Sequence, residues 1–205
     1  MKLFYSQGAC SLSPHITLRE SGLPFELVKV GRDKQTSDGR DFRSINPYGY
    51  VPALELDNGE ILAEGQAIVQ YIADSAPAAN QAPANGSIER YRVQAALAFV
   101  SSELHKTIGS MFSPSITDDV KQATIEKAEL RLTQLAAQME GKQWLANDQY
   151  SVADAYLYTV LRWLPIFKID INRWPVLAAH SERMAERPAV KAALAAEDLL
   201  VEHTA

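Results

Sequence analysis

The chain carries a single cysteine among its 205 residues. One thiol can make neither an intramolecular disulfide nor a zinc cluster. Basic charge is not in excess: 20 Lys and Arg stand against 25 Asp and Glu, for a formal net charge of −5. A nucleic-acid binder usually shows a basic patch or a high pI, so this class is set aside. No stretch approaches the roughly 18–20 unbroken apolar residues that a membrane span needs. The opening Met1–His15 lacks the apolar run of a signal peptide. A lone thiol without an export signal leads to the expectation of a reducing cytoplasm. No internal repeat is visible. What is present is globular: hydrophobic residues make up 47%, enough to bury a core in one large domain or two small ones.

Composition changes near residue 76. Ala76 to Gly86 holds two prolines, a glycine and little bulk, and reads as the region between two domains. The expected division is residues 1–77, a linker at about 78–86, and residues 87–205. The first part alternates strand and helix. Lys2–Tyr5 is a strand candidate. Ser11 to Ser21 has helical spacing and stops at Gly22. Phe25 to Val30 returns to strand, and a short helix is expected near Asp41–Ile45. Asp57-Asn58-Gly59 between two apolar runs predicts a hairpin, and a helix follows from Glu64 to about Ser75. The order β-α-β-α-β-β-α predicts a mixed four-stranded sheet with helices packed on it.

The second part is helical. Leu97, Val100, Leu104, Ile108 and Met111 step by three or four, as do Ile125, Ala128, Leu132, Leu135 and Met139. Val152 to Leu164 has almost no polar face and predicts the buried centre of a bundle. Ser151 and Asp154 at its start resemble a capping box. Arg187-Pro188 marks a break between two final helices.

Cys10 follows a strand and a turn and precedes a helix. Free N–H groups and the dipole at a helix N-terminus favour a thiolate, so a lowered pKa is expected there. The competing reading is a buried structural cysteine. Cys10-Ser11-Leu12-Ser13 is C-x-x-S, which lacks the second thiol of a dithiol oxidoreductase but permits a mixed disulfide with an external thiol. Tyr5 and Ser11 are further candidates to activate a sulfur. Val51-Pro52 could present the Val51 backbone to a peptide-like ligand if its bond is cis, or be a plain turn proline. Glu64-Gly65 stands at a helix start, where a carboxylate and free N–H groups could meet an amino-acid head group. The alternative is an ordinary helix start. His105 lies at the edge of a buried stripe. His15, His180 and His203 are scattered, without metal-ligand spacing.

In series, these stretches resemble the bacterial glutathione S-transferases of the beta class. The similarity runs through Met1–Tyr5, Gly8–His15, Asn46–Leu54, Glu64–Asp74, Glu103–Lys106 and Ser151–Tyr156. It implies a thioredoxin-like N-terminal domain, an all-helical C-terminal domain, a homodimer and glutathione as cosubstrate, without a metal. It also implies that Cys10 contacts the glutathione sulfur and can form a mixed disulfide with it. Val51 would pair its backbone with the cysteinyl part, beside a cis Pro52. Glu64 and Gly65 would hold the γ-glutamyl end, with Lys34 near the glycyl carboxylate. His105 and Lys106 would line the same pocket, and Ser102 would reach across the dimer. Departures are Gln7 for a frequent proline, Ala98 for a frequent asparagine, and Gly65 for a frequent serine.

The expected activity is transfer of the glutathione thiolate to a small apolar electrophile. The alternatives are a glutathione-dependent thiol–disulfide reductase or peroxidase, and a carrier of apolar ligands. Neither a nucleic-acid nor a membrane partner is expected.

Overall fold

The computed structural model describes residues 1–200; His203 lies outside them. The described residues divide into two compact units, Met1–Ala82 with those from Ala185 on, and Pro83–Met184.

The first unit is built on four strands, β1 (Lys2–Tyr5), β2 (Glu26–Lys29), β3 (Ala53–Glu55) and β4 (Ile61–Ala63), in the order β2-β1-β3-β4. β1 runs parallel to β2 and antiparallel to β3, and β3 pairs antiparallel with β4. This is the mixed sheet that the alternation predicted, and with the helices it forms the thioredoxin-like fold. The Asn58-Gly59 turn closes the last hairpin, with Gly59 at φ +84° and its N–H donating to the Leu56 carbonyl at 2.9 Å. Successive side chains on a strand face opposite ways. Leu3 and Leu54 therefore join Leu18 of α1 (Leu12–Ser21) and Ile68 and Ile72 of α3 (Gly65–Ser75) in one core. Phe4 and Ala53 join Val28, Val30 and Phe42 of the short α2 (Phe42–Ile45) in another. Gly22 ends α1 in the left-handed conformation, at φ 69°.

Two features differ from the expected division. Within the proline-rich stretch Gln81 is buried, and its Nε2 donates to the Thr17 carbonyl at 3.0 Å. The last helix, α9 (Pro188–Ala196), belongs with the first unit. It lies on α1, buries Val190, Ala193 and Leu194, and is tied by Arg187 to Glu20 at 2.6 Å.

The second unit is helical: α4 (Ile88–Phe99), α5 (Lys106–Ser110), α6 (Asp118–Met139), α7 (Val152–Leu161) and α8 (Pro175–Ala185). α7 is buried along its whole length. Asp154 accepts the Ser151 N–H at 2.8 Å, completing the predicted box, and also meets buried His180 Nε2 at 3.0 Å. The stripe from Leu97 to Met111 is interrupted: Val100–His105 between α4 and α5 is π-helical. Regular apolar spacing did not signal this, because the buried positions keep their three-and-four rhythm through the wider turn. Among the described residues, no helix is long and apolar enough to cross a membrane.

Candidate active site

The end of β1 leads into a tight turn. Ser11, just ahead of α1, accepts the Ser6 N–H on its hydroxyl oxygen and donates to the Ser6 carbonyl, both at 3.2 Å. Gly8 sits at φ +68°, which L side chains rarely adopt, and a methyl group there would rest 3.5 Å from Leu199 Cδ2. Its N–H donates to the Glu197 carboxylate at 3.0 Å, and the same carboxylate meets His15 Nδ1 at 2.8 Å. His15 and Glu197 are fully buried. The C-terminal end of α9 thus braces the turn that delivers Cys10. No local pattern announces Glu197, since its partners lie about 180 residues away.

Cys10 emerges one residue before Ser11, and its Sγ donates to the Val51 carbonyl at 3.2 Å. The expected lowering of its pKa is not found: the thiol is pushed up to about 12. Burial is the main cause, and the Glu64 carboxylate adds to it. The N–H groups of Cys10 and Ser11 favour the thiolate but are outweighed. A helix start therefore does not make this cysteine acidic, because desolvation is the larger effect.

The Val51–Pro52 bond is cis. A methyl group placed on Gly65 would rest 3.5 Å from Pro52 Cγ, so the start of α3 lies against the proline in ordinary contact. Glu64 precedes α3 at φ 67° and ψ 111° and makes no side-chain capping bond. Positive φ at a residue other than glycine is sparsely populated and costs about 1–3 kcal/mol. Lys34 also has positive φ, and its Nζ donates to the Gly49 carbonyl at 2.9 Å, two residues before Val51. The fold thus brings Cys10, Lys34, Val51, Pro52, Glu64 and Gly65 to one end of the sheet.

Two other candidate activators are otherwise engaged. The Ser11 hydroxyl has its proton on the Ser6 carbonyl. Tyr5 is nearly buried, and burial followed by Glu197 and Asp198 raises its pKa. Ser13, the serine of C-x-x-S, is buried on α1, and its hydroxyl has no hydrogen-bond partner among the described residues.

Ser102, His105 and Lys106 belong to the second unit. Ser102 and Lys106 are exposed; His105 is half-buried. His105 Nδ1 lies 2.6 Å from the Tyr156 hydroxyl, and its ring meets Trp163 with centroids 5.1 Å apart. Burial pushes the His105 pKa down. Phe112 packs edge-on against both Trp163 and Phe167. In the sequence Tyr156 stood in an apolar helix and at the end of the Ser151–Tyr156 stretch of the resemblance, with no role attached to it.

Known proteins decide the family. Residues 8–75 match the family described as glutathione S-transferase, N-terminal domain, and residues 99–188 match the glutathione S-transferase, C-terminal domain. Glutathione S-transferase GstA of Escherichia coli O157:H7 is 43% identical over 200 residues, spanning 97% of this chain and 100% of that protein. The chain belongs to the glutathione S-transferase family. Solved family members superpose closely. A sphingomonad glutathione S-transferase complexed with glutathione has a TM-score of 0.95 and 48% identity, covering 98% of this chain and 100% of the other. The bacterial beta-class glutathione S-transferase of Sphingomonas chungbukensis has a TM-score of 0.95 and 45% identity, with coverage of 98% and 100%. This transferase is thus similar across nearly its whole length to enzymes of the bacterial beta class.

Proposed function

We propose that this transferase joins the sulfur of glutathione to a small apolar electrophile RX. The sulfur–carbon bond forms, the bond from R to X breaks, and the thiol proton leaves with X as HX. The observation that carries this reading is the meeting of three segments at Cys10. The thiol sits on the Val51 carbonyl beside cis Pro52, with Glu64 at the start of α3 close enough to raise its pKa. An extended peptide can pair with the Val51 backbone. Glu64 suits an ammonium group, the first N–H groups of α3 suit a carboxylate, and Lys34 suits a second carboxylate. Glutathione offers all of these.

In this reading Cys10 is protonated at neutral pH and serves as a donor. When glutathione binds, its S–H turns from the Val51 carbonyl to the glutathione sulfur and favours the thiolate form of the substrate. Holding that thiolate against the electrophile turns a bimolecular encounter into a local one. Cys10 can also exchange with oxidised glutathione, releasing one glutathione thiol and retaining the other as a mixed disulfide. The assignment of Ser102, His105 and Lys106 to glutathione binding rests on family resemblance. A homodimer is part of the proposal. Ile88, Tyr91, Ala95, Ala98 and Ser102 form an exposed stripe beginning on α4, suited to a second copy of the chain. The cytoplasm, where glutathione is kept reduced, is the proposed location.

The test is glutathione-dependent halide release from an activated aryl halide by the wild type and by Cys10→Ala. Saturable turnover by the wild type is expected, with a reduced rate and no glutathione adduct in the variant. No turnover by the wild type refutes transfer; an adduct on Cys10→Ala refutes the assigned thiol. A hydroxyethyl-disulfide assay separates transfer from reductase chemistry.

A further inference from the structure

Two cations of the first unit lie against one glycine. Lys34 Nζ donates to the Gly49 carbonyl at 2.9 Å. A methyl group placed on Gly49 would rest 3.9 Å from Lys34 Cε and 3.9 Å from Arg43 Cγ. Buried neighbours anchor all three residues. Phe42 is fully buried, its N–H donates to the Lys34 carbonyl at 2.8 Å, and Arg43 follows it on α2. The Gly49 N–H donates to the carbonyl of buried Asn46 at 2.8 Å. Asn46 Nδ2 in turn donates to the Tyr50 carbonyl at 2.7 Å, just ahead of Val51.

Arg40, three residues before Arg43, is held by the Asp38 and Glu55 carboxylates at 2.7 and 2.8 Å and serves the fold. Among the described residues, Lys34 and Arg43 have no such carboxylate. The nearby Asp41 caps α2, accepting the backbone N–H of Arg43 at 2.9 Å. Two cations set against one residue repel, and an anion between them relieves this.

The direction of a bound peptide supplies that anion. Gly65 lies against Pro52, on one side of Val51, and Gly49 lies on the other. A γ-glutamyl peptide with its head group at Glu64 and Gly65 and its cysteinyl backbone on Val51 therefore runs towards Gly49. Its next residue advances about 3.3–3.6 Å and in glutathione ends in a carboxylate.

We propose that Arg43 is a specificity-determining residue of this transferase, sharing that carboxylate with Lys34. The guanidinium fork matches the two oxygens of a carboxylate, and Lys34 adds a point charge. The pair selects γ-glutamyl thiols that carry a free carboxylate one residue beyond cysteine. This rests on the reading of Cys10, Val51 and Glu64 as a glutathione site.

The test compares glutathione with its analogue in which the glycyl carboxylate is a primary amide, using one activated aryl halide and the whole protein. The wild type is expected to lose roughly tenfold or more in kcat/KM on the amide, since hydrogen bonds to a charged group are lost. Arg43→Gln is expected to lower kcat/KM for glutathione roughly three- to tenfold, chiefly through KM, and to change the amide by less than about twofold. Arg43→Lys keeps the charge and should recover part of the loss. Arg43 is exposed, so its replacement leaves no cavity, and urea unfolding checks that the variants are folded.

Equal losses on both thiols would mark Arg43 as a packing residue and overturn the proposal. Wild-type kcat/KM for glutathione in Arg43→Gln overturns it too. A wild type that uses amide and acid equally, or neither, refutes the underlying glutathione site, and the role of Arg43 falls with it. If the wild type discriminates and Lys34→Gln abolishes the discrimination while Arg43→Gln preserves it, the site stands and the role of Arg43 alone is refuted.

Discussion

Glu64 combines a strained backbone with a proposed binding carboxylate, and the two can be pulled apart. Its φ of 67° with ψ of 111° lies outside the conformations a side chain tolerates well. Such a residue costs about 1–3 kcal/mol in the folded state. Glycine relieves this, but adds about 0.5–1 kcal/mol of freedom to the unfolded chain. The Glu64 side chain is exposed and makes no capping bond, so its removal leaves neither a cavity nor a broken cap. Glu64→Gly should therefore stabilise the protein by about 1 kcal/mol, or roughly 2–4 °C in Tm at this size. The same change removes the carboxylate that would hold the glutathione ammonium. A hydrogen bond to a charged group is worth about 1.5–3 kcal/mol, so KM for glutathione should rise roughly ten- to a hundredfold. Glu64→Gln keeps the backbone strain and loses only the charge. Its unfolding midpoint should stay near wild type while its KM rises. Urea unfolding and steady-state kinetics on both variants decide the matter. A Glu64→Gly protein no more stable than wild type refutes the strain argument. A wild-type KM in both variants refutes the binding role.

Three further outcomes follow from the geometry. Because burial pushes the Cys10 thiol up to about 12, its alkylation by iodoacetamide should rise roughly tenfold per pH unit well beyond neutrality, since the thiolate is the reactive form; a plateau near neutral pH contradicts this. Ser11→Ala strands the part-buried N–H of Ser6, while the Ser6 carbonyl keeps the Ala9 N–H, and should cost about 1 kcal/mol in urea unfolding, with turnover per folded molecule retained. A large fall in kcat at full occupancy would make Ser11 a sulfur activator instead. The Asp38 carboxyl is held down at about 2, chiefly by its hydrogen bond from Arg40 and next by Thr36. A depressed carboxyl stabilises the fold above its ordinary value of 3.8 and loses that contribution as pH falls towards 2. The pair is about one-third exposed, so the effect is below about 1 kcal/mol. Asp38→Asn should flatten stability over that acid window, lowering it near neutrality by less than about 1 kcal/mol and matching the wild type near pH 2, as followed by urea unfolding across pH.

Local chemistry was legible in the sequence. Asn58-Gly59 demanded a hairpin, Gly22 a helix stop, Ser151 with Asp154 a capped helix start, and Pro188 a new helix. Each rests on conformations that a few adjacent residues prefer, whatever surrounds them. The order of strands and helices then restricted the sheet to a mixed one. The C-x-x-S turn and the Glu64-Gly65 helix start, singled out separately in the sequence, lie at one end of that sheet.

Other properties depended on residues far apart in the chain. The assignment of α9 to the first unit rests on an apolar stripe that fits α1 and on Glu197 meeting His15 and Gly8. The π-helical turn ahead of α5 leaves the rhythm of buried positions unchanged, so periodicity is blind to it. The pKa of Cys10 turned on the balance between two nearby N–H groups, which lower it, and burial together with the Glu64 charge, which raise it. Short-range preference sets the N–H groups beside a thiol, whereas desolvation depends on everything packed around it. For the same reason the hydroxyl that meets His105 could be known only once α7 had been laid beside the π-helical turn. Sequence determines which elements form and where chemistry can begin; packing decides the charge state and orientation of the groups that carry it out.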